Sequence, residues 1–247
     1  MPDAIILCGG AGSRLRTVTD GPKAMAKVGT RPFLELLFRQ LRRHDIERVI
    51  LAVGYQRGVI ESHFGEEAFG LQLLYSPEAK PLGTGGALRN AAGLVRSNEA
   101  LVLNGDSYTD ANLGRFLRHH RDSSVDMSVL VVSPDGRDDC GTVSLDADGR
   151  LLAFQEKQPS AGPKYVNAGI YVLSREMLYE IPEGIEVSLE RELVPGWLMR
   201  GKRIVAMVDR AACIDIGTPE RYRDAQTVLA EVEEPAGSPA SFARIKG

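Results

Sequence analysis

Residues 7–16 read Leu-Cys-Gly-Gly-Ala-Gly-Ser-Arg-Leu-Arg, and Pro22-Lys23 follows them after a short gap. The apolar run Ala4 to Leu7 leads directly into three glycines within four residues. Glycine lets a backbone turn sharply and bring its N–H groups against a ligand, and several such groups pointing one way bind an anion. Arg14 and Arg16 add guanidinium groups that suit phosphate oxygens. The sequence therefore predicts a strand that opens into a phosphate-binding loop.

The glycine spacing differs from that of two common phosphate-binding motifs. Gly9, Gly10 and Gly12 do not form the G-x-G-x-x-G of dinucleotide-binding folds, and no G-K-[ST] follows as in a Walker loop. A dinucleotide-dependent oxidoreductase is disfavoured for this reason and because no acid is placed to bind a ribose. On these residues alone, an ordinary tight turn after a strand stays an alternative.

The composition predicts an ordinary globular protein, because 43% of the 247 residues are hydrophobic and 26% are charged. The formal net charge of −3 argues against nucleic-acid or anionic-membrane partners, so an anion site must be local. A signal peptide is not expected, since the N-terminus has no charged leader with a following apolar core, and a membrane span is not expected, since no window approaches about 18 apolar residues. Three dispersed cysteines show no disulfide or metal pattern and are typical of the cytoplasm.

Short β-like runs alternate with helix-like segments along the chain. The predicted strands are 4–7, 48–53, 71–75, 100–104, 127–132, 141–145, 151–155 and 166–173, and the predicted helices are 33–44, 59–64, 86–94, 113–121 and 218–232. The β-α-β-α order predicts a parallel, doubly wound sheet with ligands beyond the carboxyl ends of its strands. Residues 233–247 are rich in Pro, Ala, Ser and Gly and predict a mobile tail.

Two acidic positions are candidates for a metal site. Asn104-Gly105-Asp106 ends an apolar strand, and Asp215-Ile216-Gly217 follows the strand-like 212–214. Mg²⁺ prefers one or two carboxylates together with phosphate oxygens and water, so Asp106 and Asp215 would form such a pair if they converge. An aspartate that only caps the next turn is the alternative for Asp106.

Three further segments are candidates for substrate contacts. The Gly-rich loop Pro81–Ala87 precedes a helix and could approach a nucleotide's base and ribose through its backbone, although a plain strand-to-helix connection is equally compatible. Phe154-Gln155-Glu156-Lys157 places an acid and a base after a strand, where a solvated surface pair is the default. Asn167-Ala168-Gly169 lies inside an apolar strand, and a glycine there indicates close approach of a ligand or backbone.

Taken in order, these segments resemble the sugar-1-phosphate nucleotidylyltransferases. The signature G-G-x-G-[ST]-R-L followed by P-K is matched by Gly9 to Leu15 and by Pro22-Lys23. The other segments quoted above resemble the family's nucleoside, metal, sugar and phosphate sites, and the match runs to about Tyr222. The resemblance implies a Rossmann-like three-layer αβα sandwich with a mixed, mainly parallel sheet. It also implies one domain over 1–232, with a nucleotide-binding half, 1–106, and a sugar-binding half, 107–232.

The resemblance implies a role for each matching residue. Arg14, Lys23 and Asp106 would be catalytic, and Asp106 and Asp215 would hold Mg²⁺. Nucleotide contacts would come from Leu7, Gly9, Gly10, Gly12, Ser13, Arg14, Gly83, Thr84 and Gly85. The sugar phosphate would be bound by Gly105, Glu156, Lys157, Asn167 and Gly169.

Within the family the chain is most similar to the D-glycero-D-manno-heptose 1-phosphate guanylyltransferases. This implies a cytoplasmic, Mg²⁺-dependent enzyme that joins GTP to that sugar phosphate and releases pyrophosphate, with homo-oligomers common among relatives. Mannose, glucose and other higher-carbon sugar 1-phosphates stay open as substrates, as does a non-catalytic protein that binds nucleotide sugars. Arg16 and Cys140 depart from the family pattern, since many relatives have a proline and an aromatic residue there.

Overall fold

The computed structural model describes residues 1–10, 12–15, 20–133, 141–155 and 165–230. Within these ranges the strands are β1 (Asp3–Leu7), β2 (Lys27–Val28), β3 (Arg31–Pro32), β4 (Arg48–Val53), β5 (Glu67–Ala68), β6 (Leu71–Pro77), β7 (Glu99–Asn104), β8 (Ser107–Thr109), β9 (Met127–Val132), β10 (Thr142–Leu145), β11 (Leu151–Gln155), β12 (Tyr165–Ser174), β13 (Ile204–Asp209) and β14 (Cys213–Asp215). The helices are α1 (Phe33–Arg43), α2 (Arg57–Phe64), α3 (Gly83–Ala91), α4 (Leu113–Ser123), α5 (Arg175–Glu180), α6 (Val194–Met199) and α7 (Pro219–Ala230).

A mixed sheet of ten strands forms the centre of the molecule. Its first half is parallel: β1 lies between β4 and β7, and β6 continues the sheet beyond β4. The long strand β12 runs antiparallel to β7 and β9, and β13 returns parallel to β9. The parallel half brings the carboxyl ends of β1, β4, β6 and β7 to one edge of the sheet.

Helices cover both faces of this sheet, because alternate side chains of a strand point to opposite faces. Ala4 and Ile6 of β1 lie in a core with α1, α2, α4 and α7, whereas Ile5 lies in a second core with α3, α5 and α6. All three side chains are fully buried. The predicted three-layer sandwich is confirmed. No helix within the described ranges is long and apolar enough to cross a membrane.

The structure differs from the predicted elements at the start of α3, between residues 175 and 209, and in four short strands that were not predicted, β2, β3, β5 and β8. Helix α3 begins at Gly83, three residues before the predicted start, because Gly85 and Gly86 are paired with the carbonyl of Val187 and are held in the first helical turn. Low helix propensity of glycine led to the prediction of a loop there. Helices α5 and α6 were not predicted, because six residues are too few to show a helical period. Strand β13 was also not predicted, although its aliphatic run is as long as those of β4 and β9.

Candidate active site

The glycine loop leaves β1 between the ends of two neighbouring strands. Leu7 is paired with Ala52 of β4 and with Asn104 of β7. Beyond it, Cys8 N donates to Ala52 O at 2.8 Å, and Gly105 N donates to Leu7 O at 3.0 Å. The loop is therefore anchored at the carboxyl edge of the parallel strands, where a doubly wound sheet binds its ligands.

Three backbone amides of the loop are available to a ligand. The N–H groups of Gly9, Gly10 and Gly12 donate to no acceptor in the described part of the chain. Gly12 has a left-handed φ of 55° and precedes a single 3₁₀ turn, Ser13–Leu15, in which Arg14 is exposed. Free amides beside an exposed guanidinium are the parts of an anion-binding loop.

Burial excludes a role for Cys8 as a nucleophile. Its side chain is 5% exposed, and burial together with the Asp106 carboxylate raises the pKa of the thiol well above its ordinary value. The thiolate is the reactive form of cysteine, so this thiol is inert at neutral pH.

Lys23 joins the loop to the end of β7. Its Nζ forms an ion pair with Asp106 Oδ2 at 2.5 Å, and the two side chains are 15% and 38% exposed. On the other side, a Cβ atom on Gly12 would lie 3.1 Å from the Cβ of Lys23, so the loop rests against this side chain. The predicted residues Gly12, Lys23 and Asp106 thus meet at one place.

Asp215 also converges on this place, through the pairing of β8 with β14. Its register partner is Ser107, next to Asp106, and Ile216 N donates to Asp106 O at 3.0 Å. Asp215 Oδ1 accepts from Gly217 N at 2.8 Å, and Asp215 Oδ2 pairs with Arg221 at 2.6 Å. Each of the two carboxylates therefore already attracts one cationic side chain.

The predicted nucleoside loop is packed against the segment 185–193. A Cβ on Gly83, Gly85 or Gly86 would lie 2.4–2.6 Å from atoms of this segment. Gly85 N and Gly86 N donate to Val187 O at 2.9 and 3.3 Å, and the Thr84 hydroxyl donates to Glu190 at 2.9 Å. Internal packing thus accounts for these glycines, and nucleotide binding by Gly83, Thr84 and Gly85 stays a prediction.

Asn167 and Gly169 lie in a bulge of β12, where the register with β9 shifts between Asn167 and Ile170. Gly169 has a φ of 70°, and a Cβ there would lie 2.7 Å from Asn104 Nδ2. The close approach expected at this glycine is therefore an approach to the end of β7. Bulges of this kind occur next to active sites, and this one brings Gly169, whose N–H donates to Asn167 Oδ1 at 3.0 Å, against the strand end that precedes Asp106.

Glu78, which the sequence analysis did not single out, lies against the glycine loop. A Cβ on Gly9 would lie 2.6 Å from Glu78 Oε1, while Glu78 Oε2 accepts from Leu82 N at 3.1 Å. Burial raises the pKa of this carboxyl above its ordinary value, against the opposing effect of the Leu82 N–H. The feature that marks Glu78 is a half-buried carboxylate beside a ligand-binding loop. The sequence does not show that this glutamate is buried, so it gave no signal for Glu78.

The predicted residues Glu156 and Lys157 lie outside the described residues, as do Arg16, Cys140 and the predicted tail 233–247. The division into halves at residue 106, the homo-oligomer and the cytoplasmic location stay predictions.

The chain belongs to the nucleotidyl transferase family, because the family described as Nucleotidyl transferase matches residues 3–232. The resemblance drawn from the motifs is thereby confirmed.

Particular relatives share most of this chain. The Mannose-1-phosphate guanylyltransferase of Mycobacterium tuberculosis is 40% identical over 223 residues, which are 89% of this chain and 62% of that relative. The D-glycero-alpha-D-manno-heptose 1-phosphate guanylyltransferase of Campylobacter jejuni is 36% identical over 220 residues, 89% of this chain and 96% of that relative. HddC from Yersinia pseudotuberculosis, solved in complex with GMP-PN, superimposes with a TM-score of 0.82 at 30% identity, over 93% of this chain and all of HddC.

Proposed function

We propose that the chain condenses GTP with a sugar 1-phosphate, D-glycero-D-manno-heptose 1-phosphate in the first place, to form a GDP-sugar and pyrophosphate. The observation that carries this proposal is the convergence of four features at one strand edge: the free loop amides, Lys23, Asp106 and Asp215. Family membership supports the reaction class, and the relatives from C. jejuni and M. tuberculosis, with HddC, support the substrates.

The reaction needs charge neutralisation and positioning more than acid–base chemistry. The attacking oxygen of a sugar 1-phosphate is anionic at neutral pH, so no general base has to remove a proton. It displaces pyrophosphate from the α-phosphorus of the triphosphate in line. The loop amides of Gly9, Gly10 and Gly12 would hold the nucleoside triphosphate, Lys23 would bind near the reacting phosphates, and Arg14 would stabilise the departing pyrophosphate.

The two carboxylates fit the Mg²⁺ ion implied by the family. Asp106 and Asp215 offer hard oxygen ligands from adjacent strand ends, and each carboxylate also pairs with one cationic side chain, Lys23 or Arg221. No cluster of three or more His, Cys, Asp or Glu side chains occurs in the described ranges. A pair suffices for Mg²⁺, which takes its remaining ligands from phosphates and water, and the bound ion would neutralise phosphate charge.

Glu78 supports guanine as the base. Guanine presents two neighbouring donors, N1–H and N2–H₂, which match the two acceptor oxygens of a carboxylate. Uracil and thymine present N3–H between two carbonyl oxygens, and these would be repelled by the same carboxylate. Glu78 Oε1 lies against Gly9, at the β1 end of the glycine loop, whereas Arg14 lies at the other end of that loop. With the pyrophosphate at the Arg14 end, the base would lie at the Gly9 end and face this carboxylate.

The sugar would lie beside the bulge of β12. Asn167 would bind hydroxyl groups there, next to Gly105 and Gly169, and Glu156 and Lys157 would complete the site for the sugar and its phosphate. Mannose 1-phosphate is a second candidate substrate, favoured by the 40% identity to the mycobacterial relative.

A matrix of four nucleoside triphosphates against heptose, mannose and glucose 1-phosphates, with pyrophosphate detection, tests the proposal. We expect turnover with GTP and a manno-configured sugar. Turnover with UTP or dTTP but not GTP would refute the base, and no pyrophosphate with any pair would refute the reaction.

Two variants test the residue roles in the same assay. Asp106→Asn should lower kcat by about 10²-fold or more, whereas the control Asp122→Asn, at an exposed position of α4, should not. Glu78→Gln should lower kcat/KM for GTP by about 10-fold or more and narrow the preference for GTP over UTP, while the exposed control Glu66→Gln should leave both unchanged.

A further inference from the structure

Glu190 joins three parts of the protein through its carboxylate. It belongs to a π-helical turn, Leu189–Leu193, that follows the segment packed on α3. Its Oε1 accepts from the Tyr171 hydroxyl at 2.9 Å. Its Oε2 accepts from the Thr84 hydroxyl at 2.9 Å and from the Ser188 hydroxyl at 3.2 Å. Both oxygens of one carboxylate are thus used to hold hydroxyl groups from different elements, which is more than helix formation requires.

A hydrogen-bonded chain leads from this carboxylate to Asn167. The Tyr171 oxygen accepts from Asn167 Nδ2 at 2.7 Å, and Asn167 Oδ1 accepts from Gly169 N at 3.0 Å. An ionised carboxylate can only accept, so Tyr171 must donate to Glu190 and must accept from Asn167. A backbone N–H can only donate, so the Gly169 amide requires Oδ1 on its own side. The hydrogen bond to Tyr171 and the hydrogen bond from Gly169 therefore require the same orientation of the Asn167 side-chain amide.

Burial keeps Tyr171, the middle residue of this series of hydrogen bonds, in its neutral form. Tyr171 is completely buried, and burial together with the neighbouring Glu190 raises the pKa of its phenol well above the ordinary value. The phenol therefore stays neutral and keeps the proton that it donates. A hydrogen bond to a charged acceptor in a low-dielectric interior is stronger than one between neutral groups.

We propose that Glu190 is a positioning residue that holds the side-chain amide of Asn167 in the orientation that binds the sugar 1-phosphate. The inference rests on the proposed function, since Asn167 is assigned there to the sugar hydroxyls. With one amide hydrogen bound to Tyr171 and one oxygen lone pair bound to Gly169, Asn167 presents its second amide hydrogen and its second lone pair to a substrate. The bulge of β12 places Gly169, whose backbone N–H binds Asn167 Oδ1, against the side chain of Asn104, at the strand end that leads to Asp106.

The hydrogen bond from Thr84 also connects the Glu190 carboxylate to helix α3. The Thr84 hydroxyl donates to Glu190 and accepts from Leu189 N at 2.8 Å, so it fixes the carboxylate with respect to the helix start. Glu190 therefore keeps the sugar-side strand in a constant position relative to the segment that packs on α3.

Steady-state kinetics on the full chain test this role, with GTP and the sugar 1-phosphate that supports turnover in the wild type. Glu190→Ala and Tyr171→Phe should each raise KM for the sugar 1-phosphate about tenfold, the effect of losing one well-oriented hydrogen bond. In Tyr171→Phe, which leaves the hydrogen bond between Thr84 and Glu190 in place, KM for GTP should change less than about threefold. In the double variant, KM for the sugar 1-phosphate should be no higher than in the single variant with the higher KM. Both changes break the same series of hydrogen bonds, so their effects should not add.

Glu192→Ala is the matched control, because Glu192 lies in the same turn, is exposed and only accepts from Ser188 N at 2.8 Å. It should retain the wild-type KM for both substrates. The inference is wrong if Glu190→Ala behaves like this control, if KM rises equally for both substrates in Tyr171→Phe, or if the two single effects multiply in the double variant. Tyr171→Phe removes a single oxygen and keeps the test valid where Glu190→Ala does not fold.

A second measurement needs no activity and separates this inference from the proposed function. The side-chain amide of Asn167 gives a pair of ¹H–¹⁵N signals, which Asn167→Asp would identify by removing them. The pair should move in Tyr171→Phe and Glu190→Ala and stay in place in Glu192→Ala. Signals that do not move would overturn the positioning role even in an active enzyme. A wild type that is inactive in the whole matrix would overturn the proposed function alone.

Discussion

Gly83→Ala separates internal packing from ligand binding as the reason for the glycines of residues 83–86. Gly83 has a left-handed φ of 69°, and a Cβ there would lie 2.6 Å from the backbone oxygen of Val187 and 3.0 Å from its carbonyl carbon. That oxygen cannot move freely, because it accepts from Gly85 N and Gly86 N. Both effects act in the absence of any nucleotide.

The two effects have known sizes. A left-handed backbone costs a residue with a Cβ about 1–2 kcal/mol, and an overpacked atom in a close-packed place costs about 1–3 kcal/mol. Alanine also lowers the conformational entropy of the unfolded chain relative to glycine. This effect offsets about 0.4–1 kcal/mol of the loss. We therefore expect Gly83→Ala to lower the free energy of unfolding by about 2–4 kcal/mol.

Urea unfolding of the ligand-free protein, followed by the fluorescence of the single tryptophan, Trp197, measures this loss. The midpoint should fall by about 1 M or more at a slope of about 1–3 kcal/mol per M. Gly93→Ala is the matched control, because a Cβ on Gly93 would meet no atom within 4 Å. Its midpoint should match that of the wild type or rise. An unchanged midpoint for Gly83→Ala would refute the packing argument and leave ligand binding as the reason for this glycine.

Three more outcomes can be measured. Arg48→Met should cost about 2–4 kcal/mol of unfolding free energy, since it removes the ion pair between Arg48 and Asp3, 2.9 Å long and largely buried. The pKa of Asp3 is lowered by its hydrogen bonds and by Arg48, although burial opposes this. The contribution of Asp3 to the free energy of unfolding is therefore present above pH 3.8 and is lost as the pH falls through the lowered pKa. This contribution should shrink in Arg48→Met. Burial lowers the pKa of His120, so the native state binds fewer protons than the unfolded state. The free energy of unfolding, measured by urea titration, should therefore be full above pH 6.5 and fall below it. In His120→Gln this fall should be smaller. Gly169→Ala, whose Cβ would lie 2.7 Å from Asn104 Nδ2 at a φ of 70°, should raise KM for the sugar 1-phosphate in the pyrophosphate assay, and an unchanged KM would contradict the role of the bulge.

Elements with strong local patterns were predicted closely from the sequence. The stripe of apolar residues in α1 lies at helical spacing, and the helix ends within one residue of the predicted end. The strands β4 and β9 have the predicted bounds, because continuous runs of β-branched and aliphatic residues favour buried strands. Helix α3 was misjudged at its start, where tertiary hydrogen bonds to Val187 outweigh the low propensity of three glycines.

Two acids of the site region could not be found from the sequence, Glu78 and Glu190. Glu78 stands between Pro77 and Ala79, and Glu190 lies in the mixed segment Leu-Glu-Arg-Glu-Leu; in both places a solvated side chain is the ordinary expectation. Glu78 meets Gly9 because the pairing of β6, β4 and β1 brings their carboxyl ends side by side. Glu190 meets Tyr171 because the segment after α5 packs on α3.

The sequence alone determined the glycine loop after the first strand, the alternation of strands and helices, and the family, since these depend on residues close together in the chain. It named Lys23, Asp106 and Asp215 but could not bring them together. Their meeting depends on hydrogen-bond register between distant strands, such as the pairing of Ser107 with Asp215. Tertiary structure also decided the reason for the glycines at 83–86, because a glycine that accommodates a ligand and one that accommodates a neighbouring backbone satisfy the same steric requirement. Only the position of Val187 distinguishes the two.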